Sequence, residues 1–173
     1  MTERPERPAV FFDRDGVLNV DHGYVSSLAN FEWIAGAIDA VRAVNEAGYY
    51  AFVATNQSGI ARGLYTEDDM QALHDHMMEE FKKAGARIDD WRHCPFHPEG
   101  TIRHFRRISD WRKPGSGMLE DLMKFWPVTV EKSFLIGDKD SDMQAARGAE
   151  VTPLLFTGGN LLDFVRANIP GVK

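Results

Sequence analysis

The sequence holds a single cysteine, Cys94, so no internal disulfide can form and nothing calls for an oxidising compartment. Long apolar runs are missing as well. Met1 to Pro8 is polar and charged, which leaves no signal peptide or membrane span to expect. Cationic residues are the minority, 20 Lys and Arg against 26 Asp and Glu, for a formal net charge of −6. That balance argues against a nucleic-acid partner, since such binding runs on clustered cationic side chains. Internal repeats and low-complexity tracts are absent too. What is present is 173 residues, 43% hydrophobic and 27% charged, which fits one ordinary globular domain over residues 1–173. The expectation is a cytoplasmic protein, and a monomer, because no apolar stripe demands a partner.

Short apolar runs alternate with helical patterns. Ala9–Phe12 reads as a buried strand ending in Asp13-Arg14-Asp15-Gly16. Ile38, Val41 and Val44, with Ala37, Ala40 and Ala47, recur at helical spacing up to Gly48. Tyr49–Ala54 is a second strand, closed by Thr55-Asn56-Gln57-Ser58-Gly59. Thr66, with Glu67, Asp68 and Asp69 behind it, opens a helix that runs to about Ala84. On that helix Met70, Leu73 and Met77 read as core, and His74 and His76 as solvated. Further strands are expected at Ile88–Cys94, Ser133–Ile136 and Val151–Phe156, with helices at Met118–Phe125, Met143–Arg147 and Leu161–Ala167. Pro153 assigns its strand an edge or irregular position. Pro95 to Gly117 is irregular and carries a basic cluster of Arg103, Arg106, Arg107, Arg112 and Lys113. The alternation predicts a Rossmann-like, doubly wound α/β fold, a mainly parallel sheet with helices on both faces. Ligands in that plan sit beyond the carboxyl ends of the strands.

Three predicted strands end in acidic or hydroxyl residues at that edge: Asp13 and Asp15, Thr55, and Asp138. Two carboxylates two residues apart on a turn can aim at one site, although Asp-x-Asp-Gly alone usually means only a turn. Its companions are Thr55, Lys113-Pro114, and Gly137-Asp138 with Asp142 four residues on. In this order the set resembles the haloacid dehalogenase-like (HAD) phosphohydrolase superfamily, over about Val10 to Gly158. More narrowly, Asp13-Arg14-Asp15-Gly16, the segments 19–24 and 55–63, Cys94-Pro95 with His97-Pro98-Glu99-Gly100, Arg112-Lys113-Pro114 and Gly137-Asp138-Lys139 resemble the D-glycero-D-manno-heptose 1,7-bisphosphate phosphatases. The same branch holds the histidinol-phosphate phosphatases.

The resemblance implies Mg²⁺ held by Asp13, Asp138 and the backbone carbonyl of Asp15, an all-oxygen set of the kind Mg²⁺ prefers. It implies attack on phosphorus by Asp13 to give an aspartyl-phosphate. Asp15 would protonate the leaving sugar oxygen and later take a proton from water. Thr55 and Lys113 would hold the phosphoryl oxygens, and Asp142 would orient Lys113 or metal-bound water. Relatives that break carbon–halogen bonds lack an acid at the position of Asp15, because a halide leaves without a proton. Its presence favours ester hydrolysis. Asp21, His22, Gly23 and Tyr24 would help form the substrate pocket, with Asn56, Gln57 and Ser58 from the second loop and Lys139 from the fourth. Arg112 would meet a second phosphate.

The implied substrate is a small phosphosugar, a heptose 1,7-bisphosphate hydrolysed at C7 on the way to an activated heptose for lipopolysaccharide or another surface glycan. The alternatives are histidinol phosphate, or a catalytically silent phosphosugar-binding domain. No insertion is long enough for a separate cap domain. Many relatives carry a structural zinc on a Cys-x-His pair and a Cys-x-Cys pair before the Lys motif. Here only Cys94 remains, with Phe96, Ser109 and Trp111 at the other three positions, so no zinc is expected. Phe96 and Trp111 are expected to pack together in its place.

Overall fold

A computed structural model describes residues 3–173. Its strands are β1 (Ala9–Phe12), β2 (Tyr50–Asn56), β3 (Asp90–Cys94), β4 (Phe134–Gly137) and β5 (Thr152–Leu155). The helices are α1 (Ala37–Glu46), α2 (Glu67–Lys83), α3 (Gly117–Phe125), α4 (Asp140–Gly148) and α5 (Leu161–Asn168). All strands run parallel in one sheet of order β3-β2-β1-β4-β5. Side chains alternate across the sheet, and each face has its own core. Val10, Phe12 and Val53 pack with Val41 of α1, Leu73, Met77 and Phe81 of α2, and Val165 of α5. Phe11 and Phe52 pack on the opposite face with Met118, Leu119 and Leu122 of α3 and Met143 of α4. This is the doubly wound arrangement expected, with β5, which carries Pro153, at one edge. No helix among the described residues is long and apolar enough to cross a membrane.

Several boundaries differ from the pattern-based ones for identifiable reasons. Strand β2 runs on through Thr55 and Asn56, which pair with His93 and Cys94 of β3. Helix α4 begins at Asp140, three residues before the first apolar position, because the Asp142 carboxylate reaches back to the Lys139 backbone N–H at 3.1 Å. The Thr66 cap forms as expected, with Asp69 completing a reciprocal box.

His74 is the clear misreading. It is buried, stacked on Trp91 at 4.4 Å, with Nε2 3.1 Å from Nη1 of the fully buried Arg14. Period alone cannot tell a solvated histidine from one that turns inward to meet a buried cation. Arg14 can only donate, so Nε2 accepts and the ring is neutral. Burial first, then the charges of Arg14 and His93, push its pKa from 6.5 down to about 2. The unfolded chain therefore binds a proton that the folded one refuses, and stability falls as pH drops below about 6.5. Between pH 7 and pH 5 the expected loss through this residue is about 2 kcal/mol. Urea midpoints of the natural protein and His74→Gln at both pH values check this, since the variant should lose that share of the acid sensitivity.

Candidate active site

Strand β1 pairs with β2 on one side and β4 on the other, so its carboxyl end is the point where the strand order reverses. Asp13 is the first residue past β1, tied by its N–H to the Ile136 carbonyl at 3.0 Å. The chain then folds back, the Arg14 carbonyl accepting from the N–H groups of Leu18 and Asn19. Gly16 has φ +87°, and a Cβ there would lie 2.1 Å from Oδ2 of Asp138. Only glycine lets the first acidic loop close against the fourth. Gly137 acts likewise, since a Cβ on it would fall 2.2 Å from Cβ of Asp142.

At the centre lies Lys113, 3% exposed, brought in by the irregular loop before α3. Its Nζ donates to Asp13 Oδ1 at 2.9 Å, to Asp142 Oδ1 at 2.6 Å and to the Ala54 carbonyl at 2.9 Å. The Lys113 pKa moves up: burial works against its charge, and the two carboxylates outweigh it. Burial holds Asp13 above the ordinary carboxylate range, against the pull of Lys113. Asn56 fixes the backbone of Lys113 in both directions, donating to its carbonyl at 3.1 Å and accepting from its N–H at 3.0 Å.

Asp15 is held separately. Its Oδ1 accepts from Arg14 Nε at 3.2 Å, Arg14 Nη2 at 2.8 Å and Asn19 Nδ2 at 3.0 Å, while Oδ2 accepts from Gln57 Nε2 at 3.1 Å. Gln57 Nε2 also donates to Thr55 Oγ1 at 2.8 Å, and the Tyr65 hydroxyl donates to Gln57 Oε1. Burial raises the Tyr65 pKa, which keeps it a donor and fixes which end of the Gln57 amide faces Asp15. Arg14 and Asn19 lie in the segments that carry the resemblance but were assigned no role there, and Tyr65 lies outside them. The one available signal was Arg14's place between two carboxylates that converge on a single turn.

A cavity of about 490 Å³ opens above these groups, lined by Asp13, Asp15, Lys113 and Asp142 at its base. Asp21, Gly23, Tyr24, Asn56, Gln57, Ser58, Arg112 and Lys139 line its walls, as does Arg62, which lies in the 55–63 segment that carries the resemblance but was assigned no role there. Nε of Arg62 and Nη1 of Arg112 are buried without a hydrogen-bond partner among the described residues. Arg62 Nη2 lies 3.2 Å from His97 Nε2, and burial, then Arg112 and Arg62, lowers the His97 pKa, so the ring accepts as a neutral imidazole. Asp21 accepts from the Gly23 N–H at 3.0 Å and faces Lys139 across 3.9 Å. Three of the expected site residues, His22, Thr55 and Asp138, are not among those lining the cavity. His22 is exposed and turned to Glu32 at 3.0 Å. Thr55 is fully buried at the end of β2, paired with His93, and its hydroxyl accepts from Gln57 Nε2.

The donor set suits a divalent cation. One carboxylate oxygen each from Asp13, Asp138 and Asp142 lies within 4.8 Å of the others. Asp142 is already spent, Oδ1 on Lys113 and Oδ2 on the N–H groups of Asp138 and Lys139 at 3.1 Å each. Oδ1 of Asp138 is buried with no partner, and burial raises its pKa. Asp13 takes both its donors, Lys113 Nζ and the Arg14 N–H, on Oδ1, which leaves Oδ2. An orphaned carboxylate oxygen beside a second carboxylate fits a hard, oxygen-seeking ion. In the loop before Lys113, Phe96 pairs with Phe105 at 6.2 Å and lies under Arg107 at 4.6 Å. Phe96 and Trp111 each pack on the α3-side core beside buried Cys94, and the ring that Phe96 meets is that of Phe105. His93 is 2.5 Å from Glu67.

An all-parallel sheet whose switch point gathers Asp13, Asp15, Lys113 and Asp138 defines a HAD-type hydrolase. A HAD-hydrolase-like family model matches residues 110–163. The chain is 49% identical over 162 residues to the D-glycero-beta-D-manno-heptose-1,7-bisphosphate 7-phosphatase of Rhodopseudomonas palustris, covering 94% of this chain and 90% of that one. It is 44% identical over 144 residues to the same-named protein of Escherichia coli K12, covering 83% and 75%. A crystal structure of D,D-heptose 1,7-bisphosphate phosphatase from B. bronchiseptica, complexed with magnesium and phosphate, superposes with a TM-score of 0.78 at 29% identity, covering 96% of this chain and 90% of that one. The chain belongs to the D-glycero-β-D-manno-heptose 1,7-bisphosphate 7-phosphatase family of HAD-like phosphatases.

Proposed function

We propose that the protein, as a single capless domain, removes the 7-phosphate of D-glycero-β-D-manno-heptose 1,7-bisphosphate through an aspartyl-phosphate on Asp13. The observation that carries the chemistry is Lys113 Nζ within 2.9 Å of Asp13 Oδ1 in a buried pocket whose neighbouring carboxylate is Asp15. Asp13 attacks phosphorus as the bond to the sugar oxygen breaks, and Asp15 gives that oxygen a proton. Water then attacks phosphorus, its proton passes to Asp15, and the Asp13 carboxylate is restored. Lys113 holds the phosphoryl oxygens, and Thr55 supports this site through Gln57. Asp13, Asp138 and the Asp15 carbonyl hold Mg²⁺, which when bound offsets the repulsion between a carboxylate and a phosphate dianion.

Arg112 and Arg62 take the 1-phosphate, supported by buried N–H groups that lack a partner. Asp21, Gly23, Tyr24, Ser58 and Lys139 contact the sugar, and His22 serves the loop by its pairing with Glu32. The lone cysteine, buried and free, suits a reducing cytoplasm, in which the protein works as a monomer.

Phosphate release with and without Mg²⁺, from both anomers of the heptose bisphosphate, histidinol phosphate and a generic monoester, tests the reading. The β anomer should lead by at least tenfold, and removal of Mg²⁺ should abolish activity on every substrate. A lead for histidinol phosphate, or activity that survives chelation, overturns it.

A further inference from the structure

The Asp15 carboxylate is not symmetric. Its Oδ1 receives three N–H groups, two from Arg14 and one from Asn19, whereas Oδ2 receives one, from Gln57. A carboxylate oxygen has two lone pairs, so Oδ1 is saturated and Oδ2 keeps one site. Arg14 is itself immobilised: it is fully buried, Nη2 also donates to the Val25 carbonyl at 2.6 Å, and Nη1 lies 3.1 Å from His74 Nε2. His74 in turn stacks on Trp91 of β3. A chain of fixed contacts thus runs from the far edge of the sheet to one oxygen of Asp15.

We propose that Arg14 is a positioning residue for proton transfer: with Asn19 it occupies Oδ1 of Asp15 and reserves Oδ2 as the oxygen that carries the proton, while His74 and the Val25 carbonyl hold Arg14 in place. The proton leaves Oδ2 for the sugar oxygen as the P–O bond breaks, and a proton from the attacking water returns to Oδ2. Gln57 keeps its bond to the second lone pair throughout. The proposal rests on the reading of Asp15 as the acid and base.

The experiment compares Arg14→Met, Asp15→Asn and the double variant on the heptose bisphosphate and on p-nitrophenyl phosphate. With the sugar ester, Arg14→Met should lower kcat about tenfold to a hundredfold, part of the roughly 10²- to 10⁴-fold worth of an acid–base group, with KM little changed. The double variant should match Asp15→Asn within about twofold, since Arg14 acts only through Asp15. With p-nitrophenyl phosphate, whose leaving group departs without a proton, Arg14→Met should show a nitrophenolate burst, because only the hydrolysis step still needs Asp15. If Asp15→Asn turns over at the natural rate, the acid–base reading falls and the proposal with it. If Asp15→Asn is slow but the Arg14 loss is absent, or adds in full in the double variant, the proposal alone is overturned. Should Arg14→Met fail to fold, His74 decides. His74→Leu strips the acceptor from Nη1 and should slow the sugar ester severalfold, whereas His74→Gln, which offers an amide oxygen, should restore it; equal rates for the two overturn the proposal.

Discussion

Asp13→Asn is expected to lower turnover by about 10⁴-fold or more, in the range seen when a covalent nucleophile is removed. An amide has no anionic oxygen to attack phosphorus, and the ester then waits for unassisted water. The fold should survive the change. Lys113 keeps Asp142 at 2.6 Å and the Ala54 carbonyl at 2.9 Å, and the asparagine oxygen can still accept from Nζ. The variant also sheds a carboxylate that burial already disfavours as an anion. Its melting temperature should therefore stay close to that of the natural protein while activity disappears. Two measurements check it. Steady-state phosphate release gives the size of the loss, and rapid acid quenching with labelled substrate reports phosphate covalently held by the protein. The natural protein should trap label and Asp13→Asn none. A variant that traps label, or that keeps more than a small fraction of the rate, would place the nucleophile elsewhere.

Much of this site was legible beforehand because its residues occupy positions where chain geometry leaves little choice. A carboxylate immediately after a buried parallel strand must emerge at the carboxyl edge, which located Asp13 and Asp138. That Gly16 and Gly137 let the two loops approach closely shows only in the structure. Contacts made by long side chains across the sheet were not legible. Arg14 lies sixty residues from His74, and nothing in local periodicity says that a helix histidine turns inward to meet it. The two further residues of β2 pairing at Thr55 and Asn56, and the bond from the Gln57 amide to the Thr55 hydroxyl, were not legible either, since both depend on neighbouring strands and loops. The paired roles of Asn56, a clamp on Lys113 as well as a wall of the cavity, also appear only once both loops are in place.

Lys113→Met is the second substitution of large expected effect, and it differs from Asp13→Asn in striking the fold as well as the chemistry. The lysine is the only side-chain cation bonded to both Asp13 and Asp142 among the described residues. Breaking a buried pair by removing one partner typically costs about 3–5 kcal/mol, because the remaining charge stays desolvated. For a chain of this size that corresponds to a fall in melting temperature of roughly 6–20 °C. Activity should fall about 10³-fold, the upper end of what a single oxyanion donor is worth, since the cation over the phosphoryl group is lost and Asp13 is more easily protonated. The stability loss carries a pH signature. Without Lys113 the Asp13 pKa, already raised by burial, loses the neighbour that pulls it down. A carboxyl whose folded pKa lies above its unfolded one destabilises the fold when ionised and ceases to do so once protonated. The gap in stability between natural protein and variant should therefore be widest near pH 7 and narrow on acidification, the His74 contribution cancelling because both proteins share it. Lys113→Arg should not restore the rate, because a planar guanidinium cannot converge on two carboxylates and a carbonyl as a compact ammonium does. Thermal melts at pH 7 and pH 5, with phosphate release measured on the same samples, separate the two effects. An unchanged melting temperature with activity lost would make the lysine catalytic alone, and a stability gap that widens toward pH 5 would contradict the buried pair as the source of the loss.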